Sequence, residues 1–145
     1  MSQEPKQVIV IRSDLRTKNG EKLPKGKEGA QIAHAAMAFL TRRLKPQTEL
    51  ACVKFFFGDK TRLSGNFTPT ELLWMRTSFR KIVLVAHDEE ELLDVYKKAK
   101  EVGLEVHLIT DSGYTCFDEP TNTCVGIGPD FPEKIDPITG HLKLR

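Results

Sequence analysis

Gln7-Val8-Ile9-Val10-Ile11-Arg12 is a β-branched run with no polar alternation. A strand that alternates apolar and polar residues covers one face of a core, whereas a continuous apolar run is buried on both, as in a sheet with helices on either side. Working outward, Lys81-Ile82-Val83-Leu84-Val85-Ala86-His87 and Leu104-Glu105-Val106-His107-Leu108-Ile109-Thr110 read as further strands, and Thr123-Cys124-Val125-Gly126-Ile127 as a last one. Helical stretches separate them. The first runs from Lys25 to about Leu44, ending before Pro46, which lacks the N–H to continue it. Thr68-Pro69-Thr70-Glu71 opens a second, short helix with a capping signal and a proline just inside. Trp74 in that helix belongs to an apolar cluster and reads as core rather than as a base-stacking residue. Asp88 and Glu91 open a third helix, which stops at Gly103. The tail from Ile135 to Leu144 reads as a turn before a short apolar-alternating segment. These elements predict an α/β fold: one domain over residues 1–145, with helices on both faces of a mostly parallel sheet of about four strands.

The first helix carries the unusual chemistry. Lys25-Gly26-Lys27-Glu28-Gly29-Ala30-Gln31-Ile32-Ala33-His34-Ala35-Ala36 places cations at a helix start, where the macrodipole disfavours them by up to about 1 kcal/mol each. A phosphate would compensate, since free N–H groups at a helix start favour anions. The alternative is a solvated polar stripe. At about 3.6 residues per turn, Gly29, Ile32, Ala33, Ala36 and Leu40 form one side, predicted to pack closely on the sheet. Lys27, Gln31, His34 and Ala38 form the opposite, chemical side.

A chain of 145 residues with 39% hydrophobic content suits one domain. No apolar run approaches the ~20 residues of a membrane span, and the N-terminus has no apolar signal core. The expectation is a soluble cytoplasmic protein that does not enter membranes. Cys52, Cys116 and Cys124 are an odd count without metal-ligand spacing and read as reduced thiols. Charge is unevenly spread: up to Lys81 there are 16 Lys/Arg against 7 Asp/Glu, and beyond it 6 against 13. Such asymmetry points to a polyanionic partner held by the basic part.

No Walker lysine motif, dinucleotide glycine fingerprint or zinc-type cysteine pairing is present, so no cofactor or metal is expected. Cys116 as a nucleophile based by His34 or His107 lacks the local context such chemistry uses. What remains is a carboxylate, an ammonium, a carboxamide and hydroxyls: Asp111, Lys27, Gln31, Thr115 and Thr123. Ligand sites of open α/β sheets lie beyond the carboxyl ends of strands, where Asp111 and the start of the first helix can meet. The set suits hydrolysis of an already reactive bond such as an ester. The carboxylate polarises water, the cation balances developing negative charge and the hydroxyls orient both. A lysine close to Asp111 favours the ionised carboxylate and makes it a poorer proton acceptor.

Several blocks, in order, resemble the type 2 peptidyl-tRNA hydrolases. They are Gln7 to Leu15, Lys25-Gly26-Lys27 with Ala30-Gln31 and His34-Ala35-Ala36, Leu108 to Gly113 with Thr115, Thr123 with Val125 to Pro129, and Ile135-Asp136 with Thr139 to Leu144. The resemblance implies a three-layer α/β domain with a mixed sheet, often a homodimer, that cleaves the ester joining a peptide to the 3′ end of tRNA. By motif position it assigns the active-site lysine to Lys27, the glutamine to Gln31, the aspartate to Asp111 and the two threonines to Thr115 and Thr123. It matches His34 to a recurrent histidine. The tRNA acceptor end is then expected on Arg12, Arg16, Lys22, Lys25, Lys27 and His34. Three features depart from the family pattern: Tyr114 stands where many members carry a basic residue, the connection from Asn19 to Pro24 is longer than usual, and residues of about 45–67 read as an insertion. A non-catalytic RNA- or protein-binding module on the same fold is the competing reading, and an unrelated ester hydrolase is a third.

Overall fold

The computed structural model describes residues 3–46 and 63–145. In chain order the elements are β1 (Lys6–Arg12), α1 (Lys25–Thr41), β2 (Lys45–Pro46), β3 (Leu63–Ser64), α2 (Pro69–Arg76), β4 (Lys81–Ala86), α3 (Glu89–Glu101), β5 (Val106–Asp111), β6 (Thr121–Asp130), α4 (Pro132–Thr139) and β7 (Lys143–Leu144). Cys52, the stretch 51–57 that reads as strand or helix, the turn at 58–60 and most of the 45–67 segment lie outside the described residues.

The main sheet has five strands in the order β5-β6-β1-β4-β7. Only β1 and β4 run parallel, while β1–β6, β5–β6 and β4–β7 are antiparallel. The sheet is therefore mixed as expected, but mostly antiparallel and one strand larger. Two causes explain the difference. Residues 112–120 are too short for a crossover, so β5 and β6 form a hairpin. A strand covered on both faces also reads as one apolar run whichever way its neighbours point.

Val8 and Val10 face one layer, packing with Leu92, Val95 and Ala99 of α3 and Ile135 and Ile138 of α4. Ile9 and Ile11 face the other, with Ala35 and Ala38 of α1 and with Leu15 and Phe117. Burying each such side chain contributes roughly 1.5–3 kcal/mol, so β1 anchors both halves of the core.

The face of α1 that meets the sheet is not the one its apolar spacing predicts. Gln31, Ala35, Ala38 and Phe39 are buried, whereas Gly29 and Ala33 are exposed and Ile32 and Ala36 pack only from the flank. The close approach does occur, but the strand makes room for it. A Cβ at Gly126 of β6 would lie 2.3 Å from the Ala35 carbonyl oxygen, so helix backbone rests directly on strand backbone. Gln31 and Ala38 of the chemical face are thus turned inward, while His34 stays exposed. The helix also ends at Thr41, three residues short of expectation, as the N–H groups of Arg43 and Leu44 both turn back to Leu40 O.

Thr68 and Glu71 form the reciprocal capping box of α2. Trp74 is core: it is 1% exposed, its ring meets Phe39 edge-on at 5.8 Å, and its Nε1–H donates to Arg80 O at 2.8 Å. Asp88 caps α3 through Glu91 N, while the Glu91 carboxylate reaches His87 N instead of closing the box. α4 replaces the turn expected in the tail. Pro132 at its first turn is the signal that reveals it, obscured by Pro137 inside the helix. No helix among the described residues is long and apolar enough to cross a membrane.

Cys116 and Cys124 are free thiols. Burial pushes the Cys124 thiol up to about 12, leaving almost no thiolate near neutrality. A thiol alkylating reagent at pH 7.5 is expected to leave Cys124 unmodified in the folded protein and to modify it in denaturant. Peptide mass mapping of the two samples checks this.

Candidate active site

β5 delivers Asp111 as its last residue, and the first two turns of α1 deliver Lys27 and Gln31 from above. Lys27 Nζ donates to Asp111 Oδ2 at 2.8 Å and to Thr115 Oγ1 at 3.2 Å. Gln31 Nε2 donates to the same Asp111 Oδ2 at 2.9 Å. Thr123 Oγ1, fully buried on β6, donates to Gln31 Oε1 at 2.7 Å. A carboxylate only accepts, so Gln31 must present its NH₂ to Asp111 and its carbonyl to Thr123. The five residues singled out for hydrolysis form one connected chain.

The remaining oxygen, Asp111 Oδ1, accepts from the Gly113 amide at 2.9 Å. Gly113 takes φ +86°, and a Cβ there would lie 2.6 Å from the Glu119 carbonyl carbon. This position therefore requires glycine, and with it the turn that aims an N–H at the carboxylate. Asp-x-Gly is the sequence signal of such a turn. A carboxylate has about four acceptor positions, so Oδ1 keeps capacity for a further donor, water included.

Burial pushes the Asp111 carboxyl upward. The Lys27 hydrogen bond, the Gly113 amide, the Lys27 charge and Gln31 together outweigh it and hold the group below the ordinary carboxylate range. Asp111 is ionised at neutral pH.

The other expected contacts divide into two groups. His34 is exposed on a cleft of about 360 Å³ shared with Gln31, Asp111, Ser112 and Arg42. Arg42, not anticipated from the sequence, lies two turns beyond His34 on the same helix side, and its guanidinium donates to Leu108 O at 3.0 Å. Arg12, Arg16, Lys22 and Lys25 instead line a separate cavity of about 770 Å³ on the opposite flank of the first turn of α1. Arg12 is engaged there, bonded to Asp14 and to Asn122 O. His107 is not a free base: its ring nitrogens face Glu105 at 2.6 Å and Arg42 at 3.2 Å. Folding brings parts of the two charge halves together: Lys6 pairs with Asp136, Arg12 with Glu89, Lys27 with Asp111 and Arg43 with Glu105.

A helix-borne lysine and glutamine thus converge on a hairpin-borne aspartate and two threonines. The family model described as Peptidyl-tRNA hydrolase PTH2 matches residues 5–145. The chain belongs to the PTH2 family. Relatives named peptidyl-tRNA hydrolase include one from Methanopyrus kandleri, 40% identical over 140 residues and covering 96% of this chain and 97% of the relative. Another, from Methanocaldococcus jannaschii, is 38% identical and covers 96% and 98%. A third, from Methanothermobacter thermautotrophicus, is 37% identical with the same coverage. Among solved structures, a protein of unknown function from Agrobacterium tumefaciens, Atu0240, matches with a TM-score of 0.50 at 13% identity over 98% of each chain. That last likeness concerns the fold alone, whereas membership of the PTH2 family rests on sequence over nearly the whole chain.

Proposed function

We propose that this chain is a peptidyl-tRNA hydrolase, cleaving the ester between a peptide and the 3′ end of tRNA and so returning the tRNA to translation. The observation that carries the reading is the Lys27–Asp111 pair, 2.8 Å apart across the α1–β5 junction in a PTH2-family chain. Asp111 Oδ1 holds and polarises the attacking water, and Lys27 turns from the carboxylate toward the oxygen that gains negative charge. Gln31, fixed by Thr123, keeps Asp111 in place while the lysine is shared. Thr115, accepting from Lys27, keeps its own O–H free to orient substrate or water. The ester is activated enough for a site of such modest basicity. The basic α1 layer, including Arg16, Lys22, Lys25 and His34, holds the acceptor end. A single domain, a cytoplasmic location and pairing of two chains form part of the same proposal, the last tested by sedimentation.

Release of free tRNA from an N-acetylaminoacyl-tRNA, followed on an acidic gel, tests the reading. No release above the uncatalysed rate would overturn it. The pH profile is a separate check. Because its folded-state pKa is depressed, the Asp111 carboxylate persists to below the ordinary carboxylate range. Its contribution to stability is present above that range and is lost as pH falls through the folded value. The kcat/KM profile, which reports the free enzyme, is therefore expected to show no acid limb from this group between pH 5 and 7. A limb in that window that disappears in Asp111→Asn would contradict the ionised assignment.

A further inference from the structure

The cleft beside Asp111 continues past the reacting groups along a sheet edge. Among the described residues β5 is the last strand on its side of the sheet, paired only with β6. Glu105 O accepts from Gly128 N, and Ile109 O accepts from Thr123 Oγ1 at 3.4 Å, so these residues turn their backbone polar groups toward β6. By the alternation of an antiparallel ladder, Val106 and Leu108 turn theirs outward. Leu108 O is met there not by a strand but by the Arg42 guanidinium, at 3.0 Å. A guanidinium only donates, so His107 Nδ1, 3.2 Å from Arg42 Nη1, accepts, and Nε2 directs its proton to Glu105. Arg42 is thereby held at the far end of the cleft. The floor between it and Asp111 is apolar, formed by the buried Ala38 and Ile109, and among the described residues that line the cleft only Asp111 is acidic.

We infer that this groove between α1 and β5 is the peptide subsite: the residues preceding the ester lie along the outer edge of β5 as an added strand, and Arg42 reads one of their main-chain carbonyls. Three arguments select this occupant. The groove is continuous with the reacting groups, because Asp111 is both the last residue of β5 and part of the lining. Peptides on tRNA differ in sequence, and edge pairing draws its affinity from main-chain hydrogen bonds that every sequence offers. Arg42 and the exposed His34 on the walls also complement carbonyl oxygens. The ester fixes the C-terminal end of the peptide at Asp111, so the added strand runs parallel to β5. On docking, a peptide N–H takes over Leu108 O, and the guanidinium, still held by His107, donates to a peptide carbonyl. Leu108 and Asp111 are separated by about 10 Å of strand, which places Arg42 near the third residue before the ester. The identity of the occupant rests on the peptidyl-tRNA reading, whereas the open edge does not.

A ladder of N-acetylated oligoalanyl-tRNAs, one to five residues long, tests the inference on the full-length protein. KM is expected to fall about tenfold between one and four residues and then level off, with the exposed Arg42→Ala variant losing most of that gain and Arg42→Lys keeping part of it. Methylating single peptide nitrogens is expected to raise KM about tenfold at alternate positions and by less than about twofold between them, the period of a paired strand. An Arg42 that served structure alone would leave both patterns unchanged between variant and parent. A KM independent of length, or methylation effects without alternation, would overturn the subsite. Independently of hydrolysis, N-acetyl-tetraalanine amide titrated into isotope-labelled protein is expected to shift the amides of Val106 and Leu108 more than those of His107 and Ile109. Hydrolysis without these edge shifts overturns the subsite and leaves the activity standing, and edge shifts without hydrolysis support the subsite and remove the activity. Protection of the same amides that rises with protein concentration before peptide is added would put a second copy on the edge and overturn the assignment.

Discussion

Asp111→Asn is expected to lower kcat on peptidyl-tRNA by about 10²–10⁴-fold, and Lys27→Ala by about 10²–10³-fold, with smaller changes in KM. The asparagine matches the aspartate in shape but not in acceptor capacity. Asp111 accepts from Lys27 and Gln31 on one oxygen and from Gly113 on the other. In either orientation an asparagine amide sets an N–H against one of these donors, so a cost of about 1–3 kcal/mol in stability accompanies the kinetic loss. Thermal unfolding alongside single-turnover kinetics separates the two effects. Lys27→Ala leaves Gln31 and Gly113 on Asp111, so its kinetic defect should exceed its stability defect. Turnover undiminished in both variants would remove these residues from the chemistry while leaving the fold as described.

Gly126→Val is expected to destabilise the protein by about 3 kcal/mol or more, or to prevent accumulation of folded material. The new side chain would begin 2.3 Å from the Ala35 carbonyl oxygen, and a backbone atom in mid-helix cannot step aside as a side-chain tip can. For a chain of this size the loss corresponds to a fall of about 10 °C in Tm. Gly26→Ala is the matching control. A Cβ there meets nothing within 4 Å, and replacing glycine within a helix adds roughly 0.5–1 kcal/mol. Melting curves by circular dichroism should therefore move in opposite directions for the two variants, and equal stabilities would refute the backbone-on-backbone contact.

The elements that announce themselves by continuous apolar runs or caps were readable from sequence: β1, β4, β5, the capping box at Thr68, and Asp88 before α3. Strand direction was not, because Val8 and Ile9 are buried alike whether a neighbour runs parallel or antiparallel. The facing of α1 does not follow its apolar spacing. Spacing arguments assume that the apolar side is the buried one, yet Gln31 is among the most buried residues of the helix. Its amide is satisfied by Asp111 and Thr123, partners that lie 80 and 92 residues away and so leave no local signal. The residue types of the site could be picked out by elimination and by motif. Arg42 matters through its surroundings, which spacing does not convey. The separation of the cations into two cavities also depends on how α1 divides the surface, a property of the folded helix rather than of its composition.

The seating of α1 on β6 has a bearing on how accurately the reaction centre can be kept. With no cushion of side chains between the two backbones, the helix cannot settle, tilt or creep along its support without steric collision. A displacement of one residue would carry the lysine about 1.5 Å along the axis and about 100° around it, far outside bonding range of the carboxylate. Alignment of two charges contributed by distant parts of the polypeptide is thus guaranteed deep in the interior.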